Sequence, residues 1–309
     1  MQFGAQVNCY RTTWDKIHTV ITALEAGSWD SLWFADHFLP PPPRRAEEPL
    51  AAYEGFSLIA AAAAMTQRLR LGNMVLGNTY RNPALVAKMA TTIDQISHGR
   101  LTLSIGAAWF EREHEAYGWD FPPMRERSDR LEEACALIRA LFTAEGPVDF
   151  HGRYYRLNQA PLAPGCYQKP HIPILVGGTG EQRTLRTLAM YGDIFNLDGW
   201  ARGPMTVEYY QHKLDVLARH CAALGRDPSE IKHTILMPVL VTDDPAAAAH
   251  FIANRDLGEG TAAGPKSYVL DRIAAFVDAG VDEIMFAGLP TPEVEKFQEF
   301  DEEILAQFR

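Results

Sequence analysis

The sequence has few cysteines, and it lacks the spacing that would join them in a disulfide framework. The chain of 309 residues contains four cysteines, Cys9, Cys135, Cys166 and Cys221, and no two of them form a CxxC pair. Scattered thiols of this kind are typical of proteins in a reducing compartment. We therefore expect free cysteines and a cytoplasmic protein.

Features of membrane proteins and of nucleic-acid-binding proteins are also missing. No apolar run reaches the ~20 residues that cross a bilayer, and the N-terminus lacks the basic segment and apolar core of a signal peptide. A formal net charge of −10 disfavours binding to a nucleic acid or an anionic membrane surface. We expect a small-molecule substrate, no nucleic-acid or membrane partner, and a homodimer. A small anionic ligand stays compatible with this charge, because a local group of amides or arginines can hold a phosphate.

The motifs of several enzyme classes are absent as well. His114 lies in EREHE rather than in HExxH, there is no GxSxG elbow, and we find no cysteine–histidine pair that indicates a catalytic nucleophile. The segment VGGTGEQRTLRTL has neither the GxGxxG pattern of a Rossmann fold nor the lysine of a P-loop. We predict no metal site.

What the sequence does contain is a regular alternation of apolar and amphipathic segments. The strand candidates begin at Phe3, Ser31, Leu69, Leu101, Ile172, Asp193, Ile235 and Asp282. The helix candidates begin near Trp14, Phe56, Pro83, Arg127, Glu181, Thr206, Ser267 and Pro292. Most strand candidates are continuous apolar runs, which suits parallel strands covered on both faces.

Eight strand–helix units in a chain of this length predict a (β/α)8 TIM barrel, as a single domain over residues 1–309. The alternative is a doubly wound open sheet, which would normally need fewer repeats and a clear switch point. Residues 108–126, 146–171 and 243–265 do not fit the repeat. We expect these insertions to cover the C-terminal face of the strands, where the active site of a barrel lies.

The segment SLWFADHFLPPPP, residues 31–43, ends an apolar strand in two titratable side chains followed by four prolines. In a barrel, Asp36 and His37 would point into the pocket at the strand end. Pro40 to Pro43 would form a stiff, extended wall beside it. The alternative is that His37 only satisfies the loop backbone and that the prolines are a surface spacer.

Three other segments combine glycine or small residues with strand ends. Residues 176–188 place glycines between the fifth strand and a helix, where free backbone amides can hold a phosphate, although such glycines are often only structural. Residues 72–83, GNMVLGNTYRNP, could bring the backbone close to a flat ligand. Residues 104–118, SIGAAWFEREHEAYG, leave room for a ligand, and we interpret Glu111 and Glu115 as solvated helix charges.

Taken together, SLWFADHF, LGNTYRNPALVAKM, DQISHGRLTLSIGAAWFEREHEAYG and ILVGGTGEQ with MYGDIFN resemble the bacterial luciferase-like family. Within it, the chain resembles the branch that uses the deazaflavin coenzyme F420. The resemblance runs from the first strand to about Trp200, with GVDEIMFAG as the last strand. It implies an F420-dependent oxidoreductase. The alternatives are an FMN-dependent monooxygenase, which uses reduced flavin and oxygen, and a non-catalytic flavin-binding barrel.

The resemblance also implies roles for individual residues. His37 would act as the proton donor or acceptor toward the substrate, and Met74–Val75 would be a bulge with a non-proline cis peptide behind the ring. The positions that match cofactor-binding positions of the family are Asp36, His37, Met74, Val75, Gly77, Ala107, Gly177, Gly178, Thr179 and Gly180. Of these, residues 177–180 would hold the cofactor phosphate through their amides.

Two further expectations concern the substrate and the cofactor tail. Sugar-phosphate dehydrogenases of this branch carry an acidic residue where this sequence has Trp109, and Glu113, one turn further on, cannot be assumed to replace it. Arg44, Arg45 and Arg81 are expected near the pocket mouth, where they could meet the acidic tail of F420.

Overall fold

Parallel strands close into a barrel in the computed structural model, which describes residues 1–41, 50–201, 203–290 and 293–309. The strands are β1 (Gln2–Val7), β2 (Ser31–Phe34), β3 (Arg70–Asn73), β4 (Leu76–Gly77), β5 (Leu101–Gly106), β6 (Val148–His151), β7 (Arg156–Ala160), β8 (Ile174–Gly177), β9 (Ile194–Asp198), β10 (Lys232–Val241), β11 (Ala262–Gly264) and β12 (Glu283–Ala287). The helices are α1 (Trp14–Ala26), α2 (Gly55–Met65), α3 (Pro83–Ile96), α4 (Glu111–Tyr117), α5 (Met124–Thr143), α6 (Thr184–Tyr191), α7 (Val207–Leu224), α8 (Pro245–Arg255), α9 (Lys266–Asp278) and α10 (Val294–Glu303), with 3-10 helices at Pro228–Glu230 and Leu305–Phe308.

The order of the strands around the barrel follows the chain. Going round from β1, the ring contains β2, β3, β5, β8, β9, β10 and β12, and β12 pairs with β1 to close it. The short strand β4 continues the third position alongside β5. All pairs in the ring are parallel. The prediction of a (β/α)8 barrel is confirmed.

Each barrel strand is covered on both faces, because it packs outward against helices and inward against the other strands. In β5, for example, Leu103 and Ile105 belong to the large outer core, while the alternate residues Thr102 and Ser104 do not. The apolar part of the interior is a smaller, separate cluster. It consists of Trp33, Met74, Leu175, Ile194, Leu236, Met285 and Ala287.

Local capping explains where several helices begin. α3 starts at Pro83, which has no N–H to leave unsatisfied, and Oδ1 of Asn82 accepts a hydrogen bond of 2.9 Å from the amide of Ala84. α7 follows Thr206, whose hydroxyl accepts from the Tyr209 amide. Two predicted starts shift: α5 begins at Met124 and α6 at Thr184. The predicted start at Pro292 lies outside the described residues.

The three predicted insertions have regular structure. Residues 108–126 contain α4 and the first residues of α5, and residues 146–171 contain the antiparallel hairpin β6–β7. Residues 243–265 contain α8 and β11, and β11 extends the sheet by pairing with the C-terminal end of β10. This third segment therefore inserts a helix and a short strand between β10 and α9, the helix that the sequence predicted for this unit.

Two simpler expectations can be compared with the structure directly. All four cysteines are buried and free, as predicted. Within the described ranges, we find no helix with the length and apolarity needed to span a bilayer.

Candidate active site

The C-terminal ends of the parallel strands lie at one face of the barrel, and they bring together the strand ends selected from the sequence. Val75, between β3 and β4, lies against the ends of β5 and β8. A Cβ atom added to Gly177 would lie 2.6 Å from Cγ2 of Val75, and one added to Gly106 would lie 2.9 Å from the same atom. Glycine is therefore required at both strand ends to make room for Val75.

The peptide bond between Met74 and Val75 is cis, which confirms the prediction made from the resemblance. This bond divides the third barrel position into β3 and β4. Met74 is anchored on the neighbouring strand, because its amide donates a 2.8 Å hydrogen bond to the carbonyl of Phe34. Its side chain belongs to the inner apolar cluster.

Residues 177–180, which we call the glycine turn, follow β8 on the same face. Gly178 has a φ of +110°, a conformation that disfavours any residue with a Cβ. Among the described residues, the amides of Gly178, Thr179 and Gly180 have no backbone acceptor. These N–H groups can therefore donate hydrogen bonds to an anion such as a phosphate. We predicted that the helix would directly follow the glycines. Instead, a turn at residues 181–183 separates the glycine turn from α6.

His37 has a carboxylate partner that sequence reasoning did not identify. Its Nδ1 lies 3.0 Å from Oε2 of Glu113, which the hydroxyl of Tyr80 also approaches, to 2.6 Å. The other carboxylate oxygen accepts the amides of Phe38 and Leu39, at 2.5 and 2.9 Å. The Glu113 side chain is fully buried, whereas that of His37 is 18% exposed. The buried carboxylate thus holds the loop after β2 in place. His37 is the more exposed member of the pair.

The environment of Glu113 favours its ionised form. Burial raises the pKa of this carboxyl group, but the hydrogen bonds from His37, Tyr80 and Leu39 outweigh burial and bring the pKa below its ordinary value. Glu113 is therefore a carboxylate at neutral pH, and it can only accept hydrogen bonds.

Aromatic rings enclose the exposed edge of His37. The ring of Trp109 lies 5.2 Å from it and that of Phe110 lies 5.8 Å from it, both nearly perpendicular to the imidazole. Trp109 also stacks on Phe110, and it is 56% exposed. An exposed tryptophan beside His37 gives the pocket mouth an apolar wall.

Asp36 forms a buried ion pair instead of leaving its charge in the pocket. Both oxygens of Asp36 accept from the guanidinium of Arg81, at 2.7 and 2.8 Å, and Oδ2 also accepts the Gly77 amide at 3.0 Å. Arg81 makes a second ion pair with Glu54. Burial raises the pKa of Asp36, and the hydrogen bonds and charge of Arg81 oppose that shift.

This arrangement corrects the expectation for Arg81. Its side chain is only 9% exposed and is occupied by Asp36 and Glu54, so it is not available at the mouth for the tail of a cofactor. Arg44 and Arg45 lie outside the described residues. The reason for the inward orientation is the high cost of leaving the buried Asp36 unpaired.

Asp198 is a further side chain that the sequence did not single out. It ends β9 and pairs in register with Leu236, a member of the inner cluster. Oδ1 of Asp198 accepts the amide of Trp200 at 2.8 Å. Burial raises the pKa of Asp198 to about 6. The hydrogen bond from the Trp200 amide and the electrostatic effect of His37 oppose this shift. The pocket therefore has a second titratable group on the wall opposite β2.

The remaining predicted positions are placed as follows. The amide of Gly77 donates a hydrogen bond to Asp36, and a Cβ atom added to Gly77 would lie 2.3 Å from the Tyr80 ring. Ala107 is half-buried directly after the end of β5. The cofactor-binding roles assigned to these residues, and those of Asp36, Met74, Val75 and the glycine turn, stay predictions.

Glu113 could have been found from the periodicity of its own helix. Glu111 and Glu115 are exposed, as predicted, but Glu113 and His114 are buried. Together with Phe110 they fall at positions i, i+3 and i+4, which form one face of a helix. A buried glutamate on such a face requires partners, and that requirement is the signal sequence reasoning missed.

Comparison with known proteins gives a consistent set of similarities. The sequence profile described as luciferase-like monooxygenase matches residues 2–255. An F420-dependent glucose-6-phosphate dehydrogenase from Intrasporangium calvum is 33% identical over 237 residues, which is 75% of this chain and 67% of that protein. The protein of the same name from Amycolatopsis mediterranei is 35% identical over 163 residues, 52% of this chain and 46% of that protein. The second alignment thus spans less than half of its relative.

Two other similarities are a relative named for reduced FMN and a solved structure with the same fold. An FMNH(2)-dependent dimethylsulfone monooxygenase from Pseudomonas putida is 28% identical over 212 residues, 64% of this chain and 56% of that protein. Among solved structures, an F420-dependent secondary alcohol dehydrogenase in complex with an F420–acetone adduct superimposes with a TM-score of 0.81 at 21% identity. That superposition covers 99% of this chain and 98% of the other, and it shows a shared fold.

Proposed function

The chain belongs to the family of luciferase-like monooxygenases, and from this premise we propose that it is an oxidoreductase that transfers a hydride between F420 and a small organic substrate. The observation that carries the proposal is the polarised His37 on the same barrel face as the glycine turn. The curated relatives named as F420-dependent dehydrogenases support the choice of cofactor.

The residues present fit a flat ring that carries a phosphate. Val75 offers an apolar surface whose position depends on the absence of side chains at Gly106 and Gly177. The amides of residues 178–180 have no backbone acceptor in the described chain, so they fit the phosphate. In this assignment, Val75 supports the ring and residues 178–180 hold the phosphate.

His37 would handle the proton. F420, when bound, supplies the hydride chemistry, and the protein provides orientation and proton transfer. Nε2 of His37 would take the proton of a substrate hydroxyl, or return it to a carbonyl oxygen in the opposite direction. Trp109 and Phe110 would help to exclude water from the imidazole, because their rings lie 5.2 and 5.8 Å from it.

The substrate class that we propose is an alcohol–carbonyl pair, with an enone or an imine as further members. Trp109 presents an apolar ring 5.2 Å from His37. Asp198 adds negative charge to the opposite wall, and a carboxylate there would repel a phosphorylated substrate. We therefore do not transfer the sugar-phosphate substrate of the named relatives to this chain.

The rival function is that of an FMN-dependent monooxygenase, favoured by the dimethylsulfone monooxygenase relative. A fluorescence titration of the purified protein with F420 and with FMN separates the two. We expect saturable F420 binding and markedly weaker FMN binding. Tight FMN binding without measurable F420 binding would contradict the proposal, and binding of F420 without turnover of any alcohol, ketone, enone or imine would favour a cofactor-binding protein. The homodimer stays part of the proposal, and light scattering tests it.

A further inference from the structure

We propose that Glu113 is a positioning residue that fixes the tautomer and ring orientation of His37. This inference rests on the proposed function, because the tautomer matters to chemistry only if His37 handles the proton. Glu113 lies on α4, 76 positions from His37 in the sequence, and the barrel brings them together.

The contacts of Glu113 leave no freedom for its carboxylate. One oxygen accepts the two loop amides, and the other accepts from Tyr80 and lies against Nδ1 of His37. Since a carboxylate has no proton to donate, the hydrogen in the 3.0 Å contact must be on Nδ1 of His37. In the neutral imidazole, Nε2 is then unprotonated and can act as an acceptor.

The groups around this pair do not supply an alternative partner for Nδ1. Tyr10 meets the imidazole through its ring, with centroids 6.4 Å apart, and Trp109 and Phe110 also make ring contacts. The effect of His37 on Asp198 is electrostatic only. Among the described residues, Glu113 is therefore the group that orients the imidazole through a hydrogen bond.

A purely structural role would be to hold the loop through the amides of Phe38 and Leu39. Glu113→Gln separates the two roles, because the amide oxygen can still accept both loop amides. Its NH2 group would then face Nδ1 of His37 and the oxygen of Tyr80. This geometry forces Nδ1 to accept and moves the proton to Nε2. In a catalytic Asp–His pair, the equivalent Asp→Asn exchange costs about 10⁴ in kcat, because the wrong tautomer is stabilised.

The test is nitrogen NMR of the protein labelled with ¹⁵N-histidine, at mildly alkaline pH, without cofactor. Two-bond ¹H–¹⁵N correlations distinguish the tautomers, and a His37→Gln sample identifies the His37 signals among the 10 histidines. We expect the Nδ1–H tautomer in the wild type and the Nε2–H tautomer in Glu113→Gln. Glu111→Gln, an exposed glutamate on the same helix, is the matched control and should leave the spectrum of His37 unchanged.

A second variant keeps the proposal testable if Glu113→Gln does not fold. Tyr80→Phe removes the other hydrogen bond to the same oxygen and retains Glu113, so the Nδ1–H tautomer should persist. Nε2–H in the wild type, or no change in a folded Glu113→Gln protein, would overturn the proposal.

A parallel titration with F420 distinguishes failure of this inference from failure of the proposed function. We expect Glu113→Gln to bind F420 within about threefold of the wild type, because Glu113 does not line the glycine turn. If Glu113→Gln switches the tautomer but the wild type does not bind F420, the positioning role is supported and the proposed cofactor is overturned. An unchanged tautomer in Glu113→Gln, together with intact F420 binding, would overturn the positioning role and support the proposed cofactor.

Discussion

One side of the candidate pocket is formed by side chains and the other by backbone amides. The side after β2 consists of side chains that pair with one another. His37 pairs with the buried Glu113, and Asp36 forms a buried ion pair with Arg81. The glycine turn after β8 consists of backbone amides without acceptors among the described residues. A side-chain network fixes protonation and ring orientation, and a run of bare amides fixes the position of an anion. The two sides should therefore respond to substitution in different ways.

The largest effect is expected on the side after β2, from His37→Ala. Loss of a positioned acid or base should lower turnover about 10²–10⁴-fold, measured with F420 and the substrate that emerges from a panel of alcohols and ketones. F420 binding should be retained, because the glycine turn is untouched. His151→Ala, an exposed histidine on β6, is the control. Unchanged turnover at saturating substrate would show that His37 has a structural role.

Arg81→Met should destabilise the fold by about 3–5 kcal/mol, because it leaves the buried carboxylate of Asp36 without its cation. Denaturant unfolding measures the loss. Arg130→Met is the matched control: Arg130 pairs with Glu126 at the surface, 30% and 36% exposed, and its removal should cost less than about 1 kcal/mol. Similar losses for the two variants would mean that the Asp36–Arg81 pair does not stabilise the barrel mouth.

On the opposite side, Gly177→Ala should act on position rather than on charge. The added methyl group would lie 2.6 Å from Val75, and such overpacking costs about 1–3 kcal/mol. We expect F420 affinity to fall while any residual turnover keeps its pH dependence. Gly146→Ala, where a Cβ meets nothing within 4 Å, should leave affinity unchanged. Equal affinities for both variants would argue against a ring site beside Val75.

The smallest effect is expected for Asp198→Asn, and it should be stabilising. Burial raises the pKa of Asp198 to about 6, from an ordinary value of 3.8, so the folded wild type loses stability as the pH rises through this window. Asparagine does not ionise, and the variant should gain about 1–2 kcal/mol above pH 6, after allowance for partial solvent screening. No gain should remain below about pH 4. Asp215→Asn, at the surface of α7, is the control, and it should change stability by no more than about 0.5 kcal/mol. A gain that does not vary with pH would contradict the titration of Asp198.

Much of the fold was predictable because strand–helix alternation is a local property. Each apolar run needs cover on both faces, and eight such runs with helices between them can obtain it by closing into a barrel. The cis bond at Met74–Val75 was not predictable from propensity, since a cis form without proline is rare for every residue type. It came from the resemblance, as did the roles assigned to His37 and to the glycine turn.

The sequence by itself determined the number of strand–helix units, the strand ends that meet at one face, and the presence of a histidine and a glycine turn there. Only the tertiary structure decided which charges pair. Glu113 and His37 lie 76 positions apart, and Arg81 lies 45 from Asp36. No local pattern records such distances, and a charged side chain has a partner only where burial makes the unpaired state costly. Burial in turn depends on how the closed barrel and its insertions meet. That is why Arg81, expected at the mouth, turns inward to Asp36, and why Glu113, within a run of charges on a short helix, lies beneath His37.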